Sequence, residues 1–215
     1  MHIMEGFLPP GWCAFWYVFA LPVVAYGAYK AKKRVEGDPS AKPLLAVAAA
    51  FVFLLSALKL PSVTGSCSHP TGTGVAVVLF GPSITAFLSS IVLLFQALLL
   101  AHGGITTLGA NTASMGIIGP LCGWLVYLAL KDRTRLEVSV FSAAAVADLM
   151  TYVVTSFQLA LAFPGESLLR TAAIFMGIFA VTQVPLAIAE GVLAAYLMRY
   201  LVKYVALPTP REVVA

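Results

Sequence analysis

Long apolar segments are the feature that most constrains what this chain can fold into. A stretch of about 17–25 predominantly apolar residues crosses the hydrocarbon core of a bilayer as a helix. Such stretches recur along all 215 residues, of which 60% are hydrophobic and 10% charged. A soluble domain carries roughly a quarter charged residues, and the period-two alternation of a membrane β-barrel is not evident. We therefore predict an all-α integral membrane protein.

Two basic loops predict how the chain is oriented in the membrane. The first surrounds residues 36–40 and the second is the segment 131–135. Loops rich in Lys and Arg stay on the cytoplasmic side. The N-terminal segment has neither residue and is predicted outside, whereas Arg199 and Lys203 predict a cytoplasmic C-terminus. The basic residues behind the formal charge of +4 thus set the orientation in the membrane, and no nucleic-acid partner is predicted.

Hydropathy and helix-breaking residues together predict a bundle of about seven transmembrane helices in one membrane domain, residues 1–215. Gly81 and Pro82 predict a break between a short span and the next one. Pro185 lies within the last and longest segment, where it predicts a kink or a split. The predicted spans are 12–30, 43–59, 75–80, 83–101, 112–130, 136–161 and 168–205.

The three histidines of the chain fall on one side of this predicted bundle. His2 is in the N-terminal segment, His69 in the polar stretch 60–74, and His102 in the stretch 101–111. Imidazole is the commonest metal ligand in proteins. Three imidazoles on the same outer face therefore indicate a metal site there.

A histidine at position 2 can chelate a metal together with the N-terminus. The amine of Met1, the amide nitrogen of His2 and the His2 imidazole form a five-membered and a six-membered ring in one plane. One planar position stays open, and the His69 imidazole is suited to fill it. Tetragonal nitrogen surroundings favour Ni²⁺ or Cu²⁺ over Zn²⁺, Mg²⁺ or Ca²⁺. A solvated, frayed terminus is the common alternative for such a residue. We expect no signal peptide, and we expect the bulky second residue to keep Met1 in place.

Four segments of the chain resemble the CbiM/NikM family, which comprises the substrate-binding membrane subunits (S components) of energy-coupling-factor (ECF) transporters for Co²⁺ and Ni²⁺. They are residues 1–9 (MHIMEGFLP), 58–74 (LKLPSVTGSCSHPTGTG), 96–111 (QALLLAHGGITTLGAN) and 114–120 (SMGIIGP). The resemblance extends from the first residue to about Gly191, and its motifs are long and specific.

The resemblance implies a fold, a site and partners. The fold is a seven-helix bundle in the plasma membrane of a prokaryote, with residues 1–11 as a buried metal-binding segment. Residues 60–74 and 101–111 are then outer loops over the site, and the ligands are Met1, His2 and His69. The implied partners are a transmembrane coupling (T) subunit, ATPase subunits and, optionally, a small additional membrane subunit. The metal is the transported substrate, and no cofactor is expected.

Four further residues are weaker candidates for supporting the site. His102 either orients a ligand histidine or caps its own loop. Asn111 is either a helix N-cap or a partner of the buried N-terminal segment, and Thr64 is a second such partner. Glu5 is either an acceptor behind a ligand or a solvated interfacial carboxylate.

Other side chains allow different chemistry. Met4 and Cys67 are soft donors near the site that would admit Cu⁺, although the nitrogen donors argue against this ion. Asp148 and Glu190 are ionisable groups within apolar spans, where such groups usually face the interior. They suggest a buried polar network or, less favoured, a proton relay.

The predicted function is high-affinity uptake of a divalent transition metal, with Ni²⁺ favoured and Co²⁺ next. The chain has no GxxxxGK[ST] motif, so ATP hydrolysis is assigned to partner subunits. Two alternatives remain: a partner-independent secondary transporter, and an intramembrane metalloenzyme, for which the expected HExxH motif is missing. The small-xxx-small spacing of Ala46 and Ala50 predicts a close helix contact, either within the bundle or with the coupling subunit.

Overall fold

The computed structural model describes residues 2–61 and 66–204. Five of the helices in this part are long and apolar enough to cross a membrane, and α2 is a shorter apolar helix, which confirms the predicted helical membrane protein. The helices are α1 (Pro10–Gly37), α2 (Ala41–Ala57), α3 (Thr73–Leu100), α4 (Leu108–Leu130), α5 (Leu136–Ala162) and α6 (Leu168–Tyr204). The strands are β1 (His2–Ile3), β2 (Leu60–Pro61) and β3 (Ser66–Ser68).

Helix α1 is longer at both ends than the predicted span 12–30. It starts with Pro10 at its first position, where the fixed φ of proline suits a helix and its missing N–H has no helical partner to lose. It continues through the basic residues at 30–34, because Lys and Arg are good helix formers. Its charged end therefore extends the helix beyond the apolar stretch that hydropathy detects.

Both ends of α3 meet the same part of α2. Gly72, just before the start of α3, packs against Val52. Near the other end, Gln96 donates a hydrogen bond to the carbonyl of Phe53 at 3.1 Å. A straight helix of 28 residues would be about 42 Å long, which is incompatible with these two contacts. The two arms of α3 therefore run antiparallel to each other.

The reversal in α3 occurs at the predicted break. Gly81 has φ 75° and ψ 170°, a conformation that glycine adopts at little cost, and Pro82 follows it. The arm 73–80 is about 12 Å long, too short to cross a bilayer core alone. The described part thus has five long apolar helices and the shorter α2, and seven crossings with outer and inner termini stay a prediction.

Two helices differ from the sequence prediction in ways that matter for the site. α4 begins at Leu108 rather than at residue 112 and is π-helical over Thr112–Ile118. Asn111 therefore lies within the first turns of α4, and its predicted alternative role as an N-cap is wrong. α6 continues through Pro185, so the predicted split there is wrong as well.

The polar stretch 60–74 contributes two strands to a small buried sheet. The strand order is β1–β3–β2, and both pairings are antiparallel. His2 pairs with Cys67 and Ile3 with Ser66. Extended backbone buried in a bundle needs hydrogen-bond partners, and this sheet supplies them for the N-terminal segment. Ile3 is fully buried and packs in a cluster with Leu8 and Trp16.

Candidate metal centre

The pairing of β1 with β3 places three donor side chains on one face of the sheet. His2 lies directly opposite Cys67, and directly opposed residues in an antiparallel pair project to the same side. His69 follows Cys67 by two positions, and residues two apart along an extended segment also share a face. The register alone therefore brings His2, Cys67 and His69 together.

A fourth donor comes from the segment between α3 and α4. The His102 ring centroid lies 4.1 Å from that of His2 and 5.2 Å from that of His69. Its Nε2 lies 2.9 Å from the Sγ of Cys67. One ligand atom from each of the four residues lies within 4.8 Å of the others, and all four residues are buried. This spacing allows several of them to bind one ion.

The tautomer of His69 directs a lone pair towards His2. The Nδ1 of His69 lies 2.8 Å from the carbonyl oxygen of Pro70, to which it donates its proton, so its Nε2 carries the lone pair. That Nε2 lies 2.5 Å from the Nδ1 of His2. Two nitrogens this close share a proton, and a metal ion bound by both would take the place of that proton. Nδ1 is also the His2 atom that closes a six-membered chelate ring with the backbone amide.

Burial keeps the donors neutral. It lowers the pKa of His2 and of His69 well below the ordinary value, because a charged imidazole would lose its hydration. The same desolvation lowers the pKa of His102 to about 4. These imidazoles are therefore unprotonated at neutral pH, the form that binds a metal. Burial also raises the pKa of the Cys67 thiol.

Asn111 forms hydrogen bonds with the edge of β1 that does not pair with β3. Its Oδ1 accepts a hydrogen bond from the Ile3 N–H at 2.7 Å, and its Nδ2 donates to the Ile3 carbonyl at 3.0 Å. The Thr107 hydroxyl donates to the same carbonyl at 2.8 Å. β1 therefore lies between β3 on one side and the start of α4 on the other, so the adjacent His2 is held in one position.

The segment after β1 is attached to the loop before α4 by weaker, exposed contacts. The Glu5 carboxylate accepts a hydrogen bond from the Thr106 N–H at 3.1 Å, and the Thr106 side chain, together with this N–H, lowers the pKa of Glu5. The Gly6 N–H donates to the Thr106 hydroxyl at 3.1 Å. Glu5 thus binds the loop, and its partner is not a ligand histidine.

Two glycines let this loop approach the N-terminal segment. A Cβ at Gly103, where φ is 77°, would lie 2.9 Å from the His2 ring. A Cβ at Gly104 would lie 2.5 Å from the Cα of Glu5. Any side chain at either position would push the N-terminal segment away, so the glycine pair is part of the site.

The structure unites most of the predicted site residues. His2, His69 and His102 converge, and Cys67 joins them. Asn111 binds the N-terminal segment, whereas the Met4 side chain is exposed. Met1 and Thr64 lie outside the described residues, and their roles stay predictions. Sequence reasoning missed Thr107 and the requirement for two glycines. The adjacent pair of glycines was the available signal for a close backbone approach.

Two buried carboxylates hold the other side of the His69 segment. Glu190 on α6 accepts hydrogen bonds from the Thr71 N–H at 2.5 Å, the Thr71 hydroxyl at 2.9 Å and the Gly72 N–H at 2.8 Å. Gln183 donates to both oxygens of Asp148 on α5, at 2.7 and 2.8 Å, and to the His69 carbonyl at 3.1 Å. The predicted buried polar network is present.

A bundle of apolar helices that encloses a cluster of imidazole and thiol donors defines a membrane protein that handles a transition metal. A family described as the cobalt uptake substrate-specific transmembrane region, CbiM, matches residues 2–206. The chain belongs to this CbiM family. It is accordingly a component of cobalt or transition-metal uptake and a multi-pass membrane protein.

Similar proteins agree with this assignment. The chain is 66% identical over 205 residues to a putative cobalt transport protein of Archaeoglobus fulgidus, with 94% of each chain covered. It is 58% identical to the cobalt transport protein of Carboxydothermus hydrogenoformans, covering 95% of this chain and 84% of that protein. A crystal structure described as that of a truncated transition-metal transporter superposes with a TM-score of 0.82 at 28% identity, covering 95% of this chain and 99% of the other. These relatives are transport proteins, so the metalloenzyme alternative is set aside.

Proposed function

We propose that this chain is the substrate-binding subunit of an energy-coupling-factor transporter and that it captures Co²⁺ or Ni²⁺ from outside the cell. The observation that carries the proposal is the buried cluster of His2, Cys67, His69 and His102, whose ligand atoms lie within 4.8 Å of one another. A divalent ion bound by the two imidazoles of His2 and His69 would replace the hydrogen bond that joins them.

The proposed ligands are the amine of Met1, the amide nitrogen and imidazole of His2, and the imidazole of His69. Their support is the orientation of the two described imidazoles. His2 presents the nitrogen that closes the chelate ring, and His69 presents its free lone pair. One anionic amide among four nitrogens would leave a net charge of about +1 on a bound divalent ion. Such a charge is better tolerated in a buried site than +2.

Two observations bear on the identity of the metal, and they favour different ions. A planar set of four nitrogens favours Ni²⁺, as the sequence predicts. The relatives named above are called cobalt transport proteins, which favours Co²⁺. Both ions remain in the proposal, and competition between them on the purified protein decides which one is bound more tightly.

The proposed partners supply the energy for uptake. We assign ATP hydrolysis to ATPase subunits that act through a transmembrane coupling subunit, in a bundle of seven crossings whose N-terminus is outside and whose C-terminus is cytoplasmic. Ala46 and Ala50 are both exposed on α2, so their predicted contact within the bundle is wrong. Their small side chains leave a face that a helix of the coupling subunit can approach closely.

Adding one residue before Met1 tests the proposed ligands. The extension moves the terminal amine away from the chelate ring, so we expect Co²⁺ and Ni²⁺ affinity, measured by isothermal titration, to fall by more than about 100-fold. A matched control carries the same additional residue at the C-terminus and should bind normally. Unchanged affinity after N-terminal extension would contradict the role of Met1.

Reconstitution tests the proposed partners. Metal uptake into vesicles that contain this subunit, the coupling subunit and the ATPase subunits should require ATP inside the compartment that represents the cytoplasm. A partner-independent secondary transporter would instead carry metal into vesicles that contain this subunit alone. That result would favour the alternative function while leaving the binding site in place.

A further inference from the structure

Cys67 and His102 form a buried pair beside the proposed nitrogen ligands, and the proposed function gives this pair no role. The Cys67 Sγ lies 2.9 Å from the His102 Nε2. The thiol also lies on the same face of the sheet as His2, because the two residues are directly paired. The pair is therefore close enough to the proposed metal position to bind the same ion.

Distances support direct binding by the thiol. The Cys67 Sγ and the ligand nitrogens of His2 and His69 lie within 4.8 Å of one another. Bonds from a divalent ion to nitrogen and sulfur are about 2.0–2.3 Å, so two donors at right angles on one ion are about 3 Å apart. An ion bound by all three would therefore draw the thiol and the two imidazoles closer together.

The two other cysteines show that this placement is specific. Cys13 and Cys122 are half-buried on α1 and α4, and neither belongs to the donor cluster. Cys67 is buried and faces three imidazoles. The His102 Nδ1 is also buried, with no hydrogen-bond partner among the described residues, so the imidazole beside the thiol has a nitrogen that the fold leaves unused.

We propose that Cys67 is a fifth, thiolate donor that biases this site towards Co²⁺ over Ni²⁺, with His102 as the residue that positions it. This inference rests on the proposed function. When the S–H bond breaks and the S–Co bond forms, the proton is released to solvent, so charge and atoms balance. No change of oxidation state is required.

The bias follows from the electron count of the two ions. Low-spin planar Ni²⁺ has a filled orbital perpendicular to the plane, so a fifth donor there meets a filled orbital and gains little. Co²⁺ has one electron fewer and accepts a fifth ligand readily. A thiolate outside the plane therefore adds affinity for Co²⁺ and little for Ni²⁺, which opposes the preference of the four nitrogens.

Cobalt absorption spectroscopy and metal competition test this inference. We compare the wild-type protein with Cys67→Ser and use Cys122→Ser as the matched control. The wild type and C122S should show a near-ultraviolet thiolate-to-cobalt charge-transfer band that C67S lacks. The ratio of Co²⁺ to Ni²⁺ affinity should fall by at least about tenfold in C67S, with Ni²⁺ affinity retained as evidence that the variant is folded.

The result expected for a His102 variant differs from the results that would contradict the inference. His102→Ala should retain the charge-transfer band but weaken Co²⁺ binding by about tenfold, because it removes the partner that positions the thiol. A wild-type cobalt protein without the band, or an affinity ratio in C67S within twofold of the wild type, overturns the inference and leaves the proposed function standing. Failure of the wild type to bind either metal overturns both.

Discussion

The molecule buries two polar regions next to each other, and they differ in how their atoms are paired. Around His2 and His69, ring nitrogens are crowded or lack partners. Around Asp148 and Glu190, all four carboxylate oxygens accept hydrogen bonds. A buried polar atom without a partner is costly, and the proposed metal would satisfy ring nitrogens of the first region. The carboxylates of the second region are paired without a ligand.

The two regions share the segment that joins β3 to α3. Gln183 donates to the His69 carbonyl while it also binds Asp148, and Glu190 binds the backbone of Thr71 and Gly72. The hydrogen-bonded region thus fixes the backbone from which the His69 ring projects. None of the described ion pairs involves Asp148 or Glu190. The two buried carboxylates are therefore stabilised by these neutral hydrogen-bond donors.

Removing a proposed ligand should give the largest effect on metal binding. We expect His69→Ala to reduce Co²⁺ and Ni²⁺ affinity by more than about 100-fold, exceeding the 10–100-fold typical of outer residues. The measurement is isothermal titration of the purified protein. Thr182→Val is the matched control, because it removes a hydrogen bond to Ser68 at 2.8 Å but no donor to the metal. Equal metal affinities of the two variants would contradict the assignment of His69 to the metal-binding region.

Removing the partner of β1 should have the next largest effect. Asn111→Ala loses both hydrogen bonds to Ile3, so we expect metal affinity to fall by about 10–100-fold. Thr106→Val, which removes an exposed hydrogen bond from Gly6, should change affinity by less than about threefold. Titration of both variants with the same metal makes the comparison. A normal affinity in N111A would show that β1 is held in place without this side chain.

Acid should destabilise the metal-free protein through the buried imidazoles. An unfolded histidine binds a proton near pH 6.5, whereas burial lowers the pKa of His2 and His69, and that of His102 to about 4. The unfolded state therefore binds more protons below pH 6.5, and stability falls as the pH decreases. We expect the Tm to drop by several degrees between pH 7 and pH 5. His102→Gln should show a smaller drop, and an identical one would contradict this assignment.

Changing a carboxylate in the second region should affect stability more than binding. Glu190→Gln places an N–H₂ group against the backbone N–H of either Thr71 or Gly72, which bind different carboxylate oxygens, at a cost of about 1–3 kcal/mol. We expect a Tm lower by about 5 °C and a metal affinity within about threefold of the wild type. Glu137→Gln, at an exposed ion pair, is the control. A loss of affinity as large as that of H69A would show that the carboxylates belong to the metal site.

The helical membrane fold was predictable because apolar length and basic loops are local signals. The break at Gly81 was predictable for the same reason, since glycine followed by proline interrupts a helix regardless of its surroundings. The extension of α1 through its basic residues was not predicted, because hydropathy does not detect charged helix formers. At Pro185 the sequence left a kink and a split open, and the helix does not split there, because packing and neighbouring hydrogen bonds outweigh the propensity of one residue.

The convergence of the three histidines was predictable, and the contacts that support them were less so. The basic loops placed His2, His69 and His102 on one face, and the ligand roles of His2 and His69 stay a prediction. Cys67 was noted only as a nearby soft donor, since its contact with His102 depends on the register of β1 against β3. The double hydrogen bond of Asn111 depends on where α4 begins, which differed by four residues from the prediction.

The position of β1 has a consequence for how the protein is made. Ile3 is among the first residues synthesised, yet its hydrogen-bond partner Asn111 is 108 positions away along the chain. One edge of β1 can pair with β3 earlier, but the other edge must wait for Asn111 until about half of the polypeptide has been inserted into the membrane, and contacts of such long range form slowly. Completion of the donor cluster is consequently a late event of biogenesis, and on the proposed function metal capture would report that the helices around it have reached their places.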